Sequence, residues 1–412
     1  MMLRNLFPIF IYIIFVLLFL ALSLFLLYIW RRILTNSSNS DLGGSEEDVE
    51  RSLLTTSLPI SNKYDLDRTR IQTESELISE TIKSLIGDNH LEIDPENLKI
   101  STENYIGSGF FGTVYRAELR RERRNSNFMI VAVKEPSNIH NIRQKKILHE
   151  ELNVMCSMEK HPNILSLVGV VTQRNVMIVT EYVEDGDLLK FLRKCKFDKD
   201  SVKLDEKSLC KADLFSFTFQ IANGMQYLER VPCVHRDLAL RNVLIKNNGV
   251  LKIADFGLAR RHDKKDYYRT KTTDTALPIK WLAPECFEEE EEKIRFDSKS
   301  DVWSYGVCLY EIFSLGESPY NELDSNNFAF LQVLADFLRK GNTLSEPEHC
   351  APKMYYFMKS CWNLIPEERP SFTACTNFSR TQLNQLSNEF CMETIGKIDN
   401  EANEQRCLGR WT

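Results

Sequence analysis

The chain has 412 residues, enough for two or three domains, and its 43% hydrophobic content suffices for a sizeable globular core. A formal net charge of −6 speaks against a general nucleic-acid binder. The 11 cysteines are scattered, with no CxxC pair or zinc-like cluster; this points to reduced thiols in a cytosolic compartment and away from a disulfide framework.

Leu6 to Trp30 carries no charged residue and is long enough to cross a bilayer as a helix. Tyr12, Tyr28 and Trp30 fall near its ends, and Arg31 and Arg32 follow at once. A cleaved signal peptide ending near Ala21-Leu22-Ser23 is the competing reading, but the apolar run continues past that point. Residues 31–97, rich in Ser, Asn, Asp and Glu, read as a juxtamembrane linker with a short amphipathic helix around Glu74 to Leu85. Within it, Tyr64 is either a phosphorylation site or an unmodified linker tyrosine. Asn36-Ser37-Ser38 is a glycosylation sequon that stays bare if it faces the cytosol.

Ile106 to Tyr115 reads as a strand, a glycine turn and a second strand. Gly107, Gly109 and Gly112 would let the backbone approach phosphates closely, with Phe111 folding over them; taken alone, a plain hairpin turn fits as well. Val131-Ala132-Val133-Lys134 then puts a lysine in an apolar strand, where its charge costs free energy unless paired. The helix Ile147 to Met158 offers Glu150 and Glu151 as partners, and only one of them can face inward. The basic stretch Arg120 to Asn127 is a solvated hairpin tip or a contact for anionic lipid. Val176 to Thr180 reads as a buried strand, Cys195 to Ser208 as a charged insert loop, and Leu214 to Glu229 as an amphipathic helix.

Val234-His-Arg-Asp-Leu-Ala-Leu-Arg-Asn-Val-Leu244 follows, and after a short apolar strand comes Asp255-Phe256-Gly257. This spacing suits phosphoryl transfer. Asp237 can accept a hydroxyl proton, while Asn242 and Asp255 offer oxygens that hold Mg²⁺ against phosphates. Further on, Tyr267 and Tyr268 lie among Lys264, Lys265, Arg269 and Lys271, and Glu288 to Glu292 is a run of like charge. That acidic run is a solvated loop or an attractor for a basic partner. Residues 389–412 form a polar tail.

Together these motifs resemble the protein kinases. Asp237-Leu-Ala-Leu-Arg-Asn242 and Leu277-Pro-Ile-Lys-Trp281 resemble the tyrosine-specific branch, nearest the receptor-type kinases of the fibroblast growth factor group and the short receptor-like kinases of nematodes. The resemblance covers residues 98–388. It implies an α+β bilobal kinase fold, with a small β-rich N-lobe and a large helical C-lobe, here preceded by one transmembrane helix. It also implies ATP and Mg²⁺ as cofactors, tyrosine-bearing proteins as substrates, and self-association for phosphorylation in trans. ATP, Mg²⁺ and reduced thiols set the orientation: residues 1–5 outside, 6–30 spanning a membrane (the plasma membrane), the kinase domain cytoplasmic.

Carried over residue by residue, the resemblance makes Asp237, Arg241, Lys134 and Glu151 catalytic. Counting back from His161-Pro162 selects Glu151 over Glu150, with Met155 on the same helix face. The nucleotide would lie among Ile106, Gly107, Ser108, Gly109, Phe111, Gly112, Val114, Ala132, Lys134, Thr180, Glu181, Val183 and Leu244. The backbone of Glu181 and Val183 would hold adenine, and Thr180 would control access behind it. Tyr267 and Tyr268 resemble an autophosphorylation pair, with Arg236 receiving a phosphate. Pro278 would support a phenol ring, Glu285 would pair with Arg369, and Asp301 would brace the catalytic-loop backbone.

Overall fold

Alternation between buried and half-buried positions shapes the small lobe. In the computed structural model, β1 (Leu98–Gly109), β2 (Gly112–Arg120), β3 (Phe128–Glu135), β4 (Leu167–Val171) and β5 (Met177–Glu181) form one antiparallel sheet in the order β1-β2-β3-β5-β4. Val131 and Val133 point to one face and close a core with Ala117, Leu119, Val171 and Val179. Ala132 and Lys134, one residue out of step, therefore face the opposite side. The register sets Val114 beside Lys134 and Ala132 beside Thr180, so that opposite face already gathers the expected nucleotide residues.

The structure describes residues 81–82, 84, 91–109, 112–120, 128–138, 141–173, 175–197, 208–261, 278–287, 294–323 and 330–386. The chain divides into two units, Met1–Arg70 and Ile71–Thr412, and all described residues belong to the second. The apolar run Leu6 to Trp30 lies outside them. Among the described residues no helix is long and apolar enough to cross a membrane. Thr81, Ile82 and Ser84, in the helix expected around Glu74 to Leu85, are helical, and Ile82 is buried.

Ahead of residue 98 the chain already engages the sheet. The Ile93 N–H donates to the Val170 carbonyl at 2.8 Å and the Val170 N–H to the Leu91 carbonyl at 2.8 Å. Gly169 makes room for this segment, since a Cβ there would lie 2.5 Å from Ile93 Cδ1. The folded part thus starts before the expected linker ends.

Helix α1 (Ile142–Cys156) begins earlier than its apolar periodicity suggests, because the Asn141 side chain caps it by accepting from the N–H groups of Arg143 and Gln144 at 3.0 and 3.2 Å. After the short helix α2 (Leu188–Leu192), the ends of the expected insert loop pair in parallel as β6 (Lys196–Phe197) and β7 (Ser208–Leu209). The large lobe is built on α3 (Lys211–Arg230) and α4 (Ser298–Phe313), with α5 (Phe330–Arg339), α6 (Pro352–Cys361) and α7 (Phe372–Gln385) around them. The start of α3 again precedes the periodic signal; the Cys210 N–H is held by Asp213 Oδ2 at 2.8 Å.

Helix α4 is buried on nearly every side, as a helix apolar all round must be. Two glycines permit close packing: a Cβ at Gly306 would meet Trp362 Nε1 at 2.6 Å, and one at Gly224 would meet Ile253 Cδ1 at 2.7 Å. Between α3 and α4 the chain runs through the short strands β8 (Cys233–Val234), β9 (Val243–Ile245), β10 (Leu251–Ile253) and β11 (Arg260–Arg261). These pair as β9–β10 and β8–β11, which fixes the segments between them at the lobe boundary. A β-rich N-lobe on a helical C-lobe is the bilobal fold expected from the sequence.

Candidate active site

A cavity of about 340 Å³ opens between the lobes. Its walls include Ile106, Gly107, Ser108, Gly109, Gly112, Val114, Ala132, Thr180, Glu181, Val183 and Leu244, together with Lys134, Glu151, Met155, Arg241, Asn242 and Asp255. Of the expected site residues, Phe111, Tyr267 and Tyr268 lie outside the described residues. Asp237 is not in the wall but adjoins it through Arg241 and Asn242.

The pairing demanded by a lysine in an apolar strand is met twice. Lys134 Nζ donates to Glu151 Oε2 and Oε1 at 2.7 and 2.9 Å, and to Asp255 Oδ1 at 3.0 Å. Burial would push the Lys134 ammonium down, but the Asp255 and Glu151 carboxylates more than offset it and hold its pKa above the ordinary lysine value. Burial raises the pKa of Glu151, against the pull of Lys134. For Asp255 the balance reverses: burial would raise its pKa, yet Lys134 holds it below the usual carboxylate range. Glu151 is the inward acid of the helix, whereas Glu150 is only half-buried.

Asp255 adopts a left-handed conformation (φ 63°, ψ 74°), which turns the chain into the 3₁₀ turn Phe256–Leu258 beneath α1. Phe256 is buried, with its ring 5.2 Å from that of His235.

Asp301, in the first turn of α4, reaches under the loop between β8 and β9. Its Oδ2 accepts the His235 N–H at 2.8 Å and its Oδ1 the Arg236 N–H at 3.0 Å, the bracing expected. His235 is buried and its pKa falls to about 4, mainly through desolvation. In the neutral ring, Nε2–H donates to the Ala254 carbonyl at 3.2 Å and Nδ1 accepts the Asp237 N–H at 3.3 Å. Arg236, the expected phosphate partner, has φ 67° and is buried, its guanidinium 4.1 Å from the Phe296 ring centroid.

Burial pushes the Asp237 carboxyl up to about 6, although the Arg241 guanidinium bonded to it works the other way. Asn242 Nδ2 donates to the Asp237 carbonyl at 2.8 Å, so the remaining atom of its amide is an oxygen acceptor. The Arg241 guanidinium also lies 4.3 Å from the Trp281 ring centroid. Away from the cavity, Glu285 and Arg369 form the expected pair at 2.6 and 2.9 Å.

Two features escape sequence reasoning. Glu181 is clamped by its side chain: Lys252 and Lys246 each lie 3.2 Å from a carboxylate oxygen, and the Ser166 N–H donates to it at 2.9 Å. Glu311, deep in α4, accepts from Leu240 and Trp281. The available signal in both cases is a lone charge inside an apolar element, Lys252 between Leu251 and Ile253 and Glu311 between Tyr310 and Ile312.

A profile of the protein tyrosine and serine/threonine kinase family matches residues 100–378. Tyrosine-protein kinase receptor old-1 of Caenorhabditis elegans is 46% identical over 346 residues, covering 81% of this chain and 68% of that protein. The receptor-like tyrosine-protein kinase kin-15 of the same organism is 40% identical over 399 residues, covering 85% and 79%. Tyrosine-protein kinase receptor ver-3, also from Caenorhabditis elegans, is 39% identical over 371 residues, covering 79% of this chain but 29% of its own length. The chain belongs to the protein tyrosine kinase family.

Proposed function

We propose that this protein is a membrane-anchored, receptor-like tyrosine kinase that transfers the γ-phosphoryl group of ATP to tyrosine side chains of proteins. The observation that carries the reading is the charge cluster at the cavity: Lys134 bridges Glu151 and Asp255, with Asn242 and the Asp237–Arg241 pair next to it. Lys134, held charged by two carboxylates, binds nucleotide phosphates. Asp237 takes the tyrosine hydroxyl's proton, and Arg241 keeps its carboxylate oriented.

The site fits a nucleotide. Cβ atoms added at Gly107 and Gly109 would meet nothing within 4 Å, so these glycines are not demanded by packing within the chain and leave room for close approach of phosphates. The donor set also fits a hard cation, since Asn242 and Asp255 offer oxygens. Mg²⁺ held there would neutralise charge on the phosphates. Asp237→Asn should abolish transfer to a tyrosine peptide while nucleotide affinity stays nearly intact; Asp255→Ala should weaken Mg·ATP binding as well. Equal loss of nucleotide affinity in both variants would refute the role assignment.

The same reading takes Leu6 to Trp30 as the anchor, 31–97 as juxtamembrane segment, 98–388 as kinase domain and 389–412 as tail. Its supports are the uncharged apolar run and the names of the relatives, two called receptors and one receptor-like. Tyr267 and Tyr268 are the activating phosphorylation sites. The basic residues beside them repel one another until each phosphate adds about −1.5 to −2 charges, and confinement to a bilayer raises the local concentration for phosphorylation in trans. A C-terminal tag reachable without permeabilising the cell, or a glycan on Asn36, would overturn the topology.

A further inference from the structure

Beyond its first turn, α4 contains a single charged residue, Glu311. Its side chain is only 1% exposed, and a carboxylate so placed needs hydrogen-bond donors. It has two, and both converge on Oε2: the Leu240 N–H at 3.1 Å and the Trp281 Nε1–H at 2.9 Å. These donors come from different segments. Leu240 immediately precedes Arg241 in the loop that carries Asp237. Trp281 ends the 3₁₀ turn Ile279–Trp281, and its carbonyl accepts from Ser304 Oγ of α4 at 2.7 Å. The Trp281 ring carries the Arg241 guanidinium on its face at 4.3 Å, and that guanidinium bonds Asp237.

We propose that Glu311 is a positioning residue for phosphotransfer, pinning the Trp281 ring to the catalytic loop so that the ring, Arg241 and Asp237 are held as one unit. Glu311 does not line the nucleotide cavity, so its influence falls on the tyrosine-bearing substrate and on the chemical step rather than on ATP. A single oxygen serving both segments also makes their effects interdependent: once the Trp281 N–H or the Glu311 acceptor is lost, the ring is no longer tied to the catalytic loop, and removing the other adds nothing to that loss. The ring face that Arg241 needs survives in a phenylalanine, whereas the N–H that Glu311 needs does not, which separates the pin from the stack. The inference rests on the roles proposed above for Asp237 and Arg241.

The test uses the full-length chain with ATP and a tyrosine peptide, measuring kcat and both KM values for Trp281→Phe, Glu311→Gln, Glu311→Leu and the double variant Trp281→Phe/Glu311→Leu. Glu311→Gln keeps a carbonyl oxygen for the two donors and should stay within about threefold of wild type. Trp281→Phe and Glu311→Leu should each lower peptide kcat/KM by about tenfold or more with ATP KM within about twofold, and the double variant should be no worse than the poorer single. Multiplying losses in the double variant, an equal loss in ATP KM, or Glu311→Gln as damaging as Glu311→Leu would overturn the proposal. Should Glu311→Leu not fold, Trp281→Phe decides: a wild-type rate overturns the pin, and a tenfold loss beside a near-normal Glu311→Gln supports it. Asp237→Asn run alongside separates the two claims, because its retained activity would sink the role assignment itself, whereas its loss together with multiplying effects would sink only the pin.

Discussion

Asp301 offers the sharpest test of how the catalytic loop is held. Its two carboxylate oxygens accept the His235 and Arg236 N–H groups at 2.8 and 3.0 Å, and the residue is 1% exposed. Asp301→Ala leaves both donors buried without an acceptor, at about 1–3 kcal/mol each, or about 2–6 kcal/mol together. Part of this is offset. Burial pushes the Asp301 carboxyl up to about 7, so the native carboxylate already bears a desolvation cost that the alanine removes. The expected net loss is therefore in the lower half, about 2–4 kcal/mol, or about 4–8 °C in Tm at about 2 °C per kcal/mol for a domain of this size.

Asp301→Asn retains one acceptor oxygen and should lose about half as much as alanine. Arg236, at φ 67°, sits in a backbone region that persists only while its surroundings enforce it. Peptide phosphorylation by the alanine variant should thus fall by about tenfold or more even where the protein is fully folded. Urea unfolding of both variants, paired with initial rates at low temperature, measures the two effects separately. An alanine variant within about 0.5 kcal/mol of wild type, or one no worse than asparagine, would refute the bracing.

Glu285→Ala should cost about 3–5 kcal/mol, because Arg369, whose side chain is 0% exposed, would keep a buried charge without its carboxylate; a urea unfolding loss under about 1 kcal/mol would contradict this. Gly112→Ala should destabilise the small lobe, since its Cβ would lie 2.3 Å from the Glu135 carbonyl oxygen at φ +136°. Gly107→Ala should instead leave the melting temperature unchanged and weaken nucleotide binding, read by calorimetry. His161, pushed down to about 4 by burial with help from Lys252 and Arg230, should make stability fall as pH drops from 6.5 toward 4. The sign follows from proton uptake: in that window the unfolded chain takes a proton that the folded ring refuses. His161→Phe, which preserves an aromatic face for Tyr227, should flatten the slope in urea midpoints taken across that range.

Much of the site was legible because it rests on local rules. A period of two along β3 places Lys134 opposite Val133 whatever the rest of the chain does; on α1 the resemblance selects Glu151 over Glu150, and a spacing of one turn then puts Met155 on the same face. The helix starts were misjudged because apolar periodicity is silent about caps; Asn141 and the Cys210–Asp213 contact extend α1 and α3 into polar sequence. The clamp on Glu181 was illegible for a different reason. A lone lysine in β10 announces that it needs a partner, but the partner, Glu181 at the end of β5, comes from a strand far away in the sequence.

The two acids of α4 show what this means for function. Residues 301 and 311 lie about 15 Å apart along a helix that rises 1.5 Å per residue. Asp301 holds the catalytic loop where it leaves β8, and Glu311 holds it again at Leu240, where it turns toward Asn242. Between the two anchors stands Asp237. With α4 buried on nearly every side, moving either anchor means moving a packed helix, which a close-packed interior resists. The loop, whose one regular feature is the 3₁₀ turn Leu240–Asn242, thus takes its rigidity from the helix. Its own sequence holds the reacting groups, and the residues that fix them in place belong to α4, further along the chain.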